Sequence, residues 1–73
     1  MKLNETYAGM AVYVNNLDHV KPERRSALRD MGAYENGLLY IDDVKDGKVF
    51  FHKDSDIMSL SLKEAACVDV NVL

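Results

Sequence analysis

Apolar and polar positions divide this chain into short alternating runs and one helical stretch. Residues 10–15, Met-Ala-Val-Tyr-Val-Asn, are β-branched and aromatic, follow Gly9 and end at Asn15-Asn16. That pattern predicts a strand with Val12 and Val14 on one face and Ala11 and Tyr13 on the other. The polar residues 1–6 ahead of it read as a frayed lead-in. Residues 22–31 change to helical spacing. Pro22 suits the first helical position, where its missing N–H has no partner to lose, and it disfavours helix at Lys21. Glu23 in the first turn and Arg29 in the last complement the helix dipole, and Gly32 is the expected stop. The apolar stripe is only Ala27, Leu28 and Met31, so this helix is expected at the periphery.

The run from Leu38 to His52 is apolar on both faces, which a half-buried hairpin does not need. A three-residue loop at Lys45-Asp46-Gly47 pairs Val44 with Lys48. It then gathers Leu39, Ile41, Val49 and Phe51 on a core face. Tyr40, Phe50 and His52 fall on the opposite face, with Leu38, Asp42, Val44 and Lys48 around them. A two-residue Asp46-Gly47 loop would pair Ile41 with His52 and Asp42 with Phe51, mixing charge with aromatics on each face. The alternation therefore favours the three-residue loop.

Downstream, Lys53-Asp54-Ser55-Asp56 is a turn and Ile57–Leu60 a short strand. Ser61-Leu62-Lys63-Glu64 has the form of a capping box opening a helical turn to Ala66. Cys67–Val72 alternates as a last strand, with Val68, Val70 and Val72 inward. The expected class is mainly β, α+β. Five short strands, a helix-bearing excursion after the first and a helical turn before the last resemble the layout of SH3-like barrels, in which closure removes exposed edges. The Gly-rich turn of ribosomal and transcription-factor barrels of this shape is not matched. The resemblance implies a fold and carries no function.

Length narrows the picture further. Seventy-three residues allow one domain, 1–73, with a thin stability margin. Cys67 is the only cysteine, so there is no intrachain disulfide and no thiolate-rich zinc site, in keeping with a reducing compartment. Met1-Lys2-Leu3-Asn4-Glu5 lacks the apolar run of a signal peptide, and no apolar stretch approaches the roughly 20 residues that span a bilayer. A soluble, cytoplasmic protein is expected.

The net charge of −3 is uneven: residues 21–30 carry +2, residues 31–73 carry −4 and residues 1–20 carry −1. Overall acidity argues against general phosphate-backbone binding and leaves room for a local basic site. Lys21, Arg24, Arg25 and Arg29 are that candidate.

Catalytic chemistry finds little footing. Asp18-His19 is a pair of loop neighbours, and Cys67 has no sequence sign of a base or a depressed pKa. A calcium loop started at Asp54 fails, with Met58 at position 5 and Ala65 at position 12. With no nucleophile–base pairing and no metal set, no enzyme, no metal and no cofactor are expected.

The reading is a small non-enzymatic interaction module, of the kind phage and bacteria use to regulate host machinery. It would bind another protein through Tyr40, Phe50 and His52, through Arg24, Arg25 and Arg29, or through both. Nucleic-acid binding by the basic helix is the alternative. Three covers for the outer hairpin face are open: helix 22–31, a second copy in a homodimer, or a foreign protein.

Overall fold

The computed structural model describes residues 1–73. Strand β1 (Ala11–Asn16) leads through helix α1 (Pro22–Asp30) to β2 (Leu38–Lys45), β3 (Lys48–Lys53) and β4 (Asp56–Ser61). The short helix α2 (Leu62–Ala65) then precedes β5 (Asp69–Val72). All strand pairings are antiparallel, and the sheet order is β4-β3-β2-β1-β5. This is the SH3-like layout, mainly β within α+β. Its inner face supplies Val12, Val14, Leu39, Ile41, Val49, Phe51, Leu60 and Val70 to one core. Val68 joins them as expected, whereas Val72 lies beyond the core and is 55% exposed.

The hairpin resolves a conflict between its turn and its core. Asp46 and Gly47 both have positive φ, 51° and 73°, and Lys45 pairs with Lys48 across them. This is the two-residue Asp-Gly turn that suits hairpin twist, so the three-residue loop is corrected. At the other end Ile41 pairs with Phe51 and Tyr40 with His52, as the core alternation demands. A β-bulge between Ile41 and Asp43 absorbs the one-residue difference. Two aspartates share the bulge, Asp42 exposed and Asp43 half-buried. Its second consequence is that Val44 packs against the core, not on the outer face.

Helix α1 ends as expected. Gly32, at φ 86°, donates to Arg29 O, and Ala33 N–H donates to Leu28 O at 2.8 Å. These two bonds form the Schellman stop, and they turn Leu28 and Ala33 into the core together. Leu28 is the only fully buried residue of α1. At α2, Ser61 Oγ accepts from the Glu64 N–H at 3.1 Å. The reciprocal half of the capping box is missing, because the Glu64 carboxylate turns to Arg24 instead.

The N-terminus is not frayed. Met1 and Val70 exchange backbone hydrogen bonds, Leu3 N–H donates to Val68 O, and Lys2 bridges Asp69 in antiparallel fashion. Leu3 is wholly buried, and the Glu5 carboxylate accepts from the Lys2 N–H at 2.6 Å. One apolar side chain inside a polar stretch carries no periodicity, yet its burial is enough to order the segment. Residues 1–3 thereby cover the outer edge of β5. Helix α1 approaches β4 only at its ends: Arg24 meets Glu64 just past β4, and Arg29–Met31 line a cleft with Asp54, Asp56 and Met58 near its start. The cover on β5 blocks strand-to-strand association at that edge.

Candidate functional site

The bulge-adjusted register brings Tyr40, Phe50 and His52 onto one outer face, as the alternation predicts. Tyr40 and His52 are cross-strand partners, and their rings stack with centroids 5.3 Å apart and planes within 17°. His52 Nδ1 lies 2.7 Å from Asp42 Oδ1, a hydrogen bond the imidazole donates. The bulge residue thus pins the histidine ring, which in turn supports the tyrosine ring. Phe50 sits opposite Asp43, and Lys45 Nζ stands 5.8 Å from its ring centroid. Next across the sheet, His52 pairs with Ile57, an isoleucine 73% exposed. Sequence reading did not bring Ile57 into this patch, although counting outward from the Lys53–Asp56 turn identifies it as the partner of His52.

Helix α1 does not lie over this face. Leu28 and Met31 point into or against the core instead, and Tyr40 remains 43% exposed. Of the three covers left open by the sequence, the helix is therefore excluded. The reason lies in the excursion: the Schellman turn directs Leu28 and Ala33 into the core, so the apolar stripe of the helix is spent there.

The helix cations do not join the aromatics, nor do they form one patch. Arg24 donates from Nε and Nη2 to the same Glu64 oxygen, at 3.0 and 2.8 Å. Arg25 donates to Val20 O at 3.1 Å and to Asp18 O at 3.4 Å, which staples the loop before its own helix. Arg29 and Lys21 make no ion pair. Two of the four expected cations are thus engaged by the fold.

His19 and Cys67 both line a cleft between α1 and α2. His19 Nε2 stands 3.8 Å from Asp69 Oδ2, and the Cys67 thiol points to Lys63 O at 3.7 Å. Asp69 also takes a hydrogen bond from Lys2 Nζ. That bond, with the nearby positive charges of Lys2, His19 and the N-terminus, holds its carboxyl below the usual carboxylate range against the opposing effect of burial. No three of the His, Cys, Asp and Glu side chains converge to hold a metal ion. No helix is long and apolar enough to cross a membrane.

No protein-family model matches the sequence, and no curated protein matches it in sequence. Among solved structures, a manganese-dependent transcriptional repressor matches with a TM-score of 0.86 at 18% identity, over 99% of this chain and 40% of the repressor. At that identity the likeness is one of fold. This chain spans two fifths of the repressor's length.

Proposed function

We propose that this chain is a non-enzymatic regulatory domain of the cytoplasm that docks a partner protein on the outer face of the β2–β3 hairpin. Tyr40, Phe50 and His52 are the anchors, with Ile57 at the margin. The observation that carries this reading is the stacked Tyr40–His52 pair, held by Asp42 on the outer face with Tyr40 43% exposed. Aromatic side chains dominate binding energy at protein interfaces. Holding them in place before the partner arrives lowers the entropy cost of binding. The occurrence of this fold within a transcriptional repressor supports a regulatory setting.

Nucleic-acid binding draws less support. Arg24 and Arg25 are already engaged, and the chain is acidic overall. The test is quantitative co-purification from the cells that make the protein, with wild type, Tyr40→Ala and Phe50→Asp compared at equal folded fraction. Loss of the same partner from both variants is the expected result. Undiminished recovery with both variants folded overturns the reading.

A further inference from the structure

A second feature stands apart from the hairpin face. Between α1 and α2 lies a cleft of about 330 Å³, open to solvent on one side, whose inner surface is largely apolar. Val20, Leu28 and Cys67 contribute its apolar walls. Lys21, Arg24 and Lys63 stand around it against a single carboxylate, Glu64, which is paired with Arg24. The cleft therefore carries +2 in a chain whose net charge is −3. Lys21 and Lys63 are both exposed and neither makes an ion pair.

We infer that this cleft binds an acidic, amphipathic segment of a partner protein, separately from the hairpin face. An apolar side chain of the segment would rest on Val20, Leu28 and Cys67, and its carboxylates would meet Lys21 and Lys63. The open side favours a peptide over a small molecule. Small-molecule sites bury most of their ligand, whereas a peptide segment covers an open groove with its own backbone and neighbouring side chains. The positive rim favours an acidic ligand over a basic one.

Cys67 supplies the readout, because it is the only thiol in the chain and lines the cleft. The probe is a short peptide with leucines at i, i+3, i+4 and i+7 and glutamates between them, set against a counterpart with lysines for glutamates. The glutamate peptide is expected to slow alkylation of Cys67 saturably and to shift the amide resonances of Val20, Leu28 and Lys63. Reversing the rim with Lys21→Glu and Lys63→Glu together is expected to weaken it about tenfold. Tyr40→Ala is expected to leave Cys67 protection unchanged, which separates this site from the hairpin face. The inference is overturned if the glutamate peptide gives no protection or the lysine peptide protects equally. It is also overturned if Tyr40→Ala abolishes protection, or if raising the protein concentration alone protects Cys67, which would make a second copy the occupant.

Discussion

The β2–β3 hairpin and the α1 excursion each place one candidate surface on the molecule, and they do so by different physics. In the hairpin, backbone pairing fixes the neighbours: Ile41 meets Phe51 inside, and Tyr40 meets His52 outside. In the excursion, one buried residue, Leu28, ties the helix down, and side chains distant in sequence choose where the cations go. Arg24 finds Glu64 forty positions away, and Arg25 turns back to Val20 O. Surface chemistry on a paired strand follows from local alternation. Surface chemistry on a lightly anchored helix depends on what the rest of the fold brings alongside it.

The largest expected effect tests whether the hairpin is the more deeply committed region. Phe51→Ala empties a wholly buried site and should cost about 3–5 kcal/mol in denaturant unfolding. A chain of this length has about 4–11 kcal/mol in total, so much of the protein would unfold. A loss under about 1 kcal/mol would remove the distinction. Gly47→Ala comes next. Open space surrounds the new methyl, so its cost of about 1–2 kcal/mol is the left-handed backbone alone. An unchanged melting midpoint would show that the turn relaxes out of its φ of 73°.

The anchored N-terminus is tested by acid. Asp69 has a lowered folded-state pKa, so the stability it adds is present above its unfolded value near 3.8 and is lost as pH falls through the lower folded value. Lys2→Met should therefore bring acid unfolding to higher pH while leaving the behaviour of the hairpin variants unchanged. An identical acid limb would show that the Lys2 bond adds nothing. The smallest effect belongs to the excursion. Arg24→Ala breaks a pair whose side chains are 47% and 38% exposed, and should cost no more than about 1 kcal/mol. A cost rivalling Phe51→Ala would mean that α1 is clamped by charge and not by Leu28.

The two regions also differ in how much the sequence reveals. Alternation identifies Leu39, Ile41, Val49 and Phe51 as core and Tyr40, Phe50 and His52 as outer, and all seven positions take those faces. The bulge was not legible, because the Asp46-Gly47 turn and the core alternation demand registers one residue apart. Alternation alone chooses one, and the backbone satisfies both by placing Asp42 and Asp43 in the gap. Leu3 was hidden for a related reason: burial of a single side chain leaves no pattern to read. The destinations of Arg24 and Arg25, and the cleft between α1 and α2, arise from tertiary placement that helical spacing does not encode.

The claim that a partner protein docks on the hairpin face is tested most directly by site-specific photo-crosslinking in the cells that make the protein. A photoreactive phenylalanine analogue would replace Tyr40 in one sample and Leu62, exposed on α2, in another. A discrete crosslinked species from position 40, lost on adding Phe50→Asp and absent from position 62, is the expected result. No crosslink from position 40, or the same species from both positions, would contradict the account.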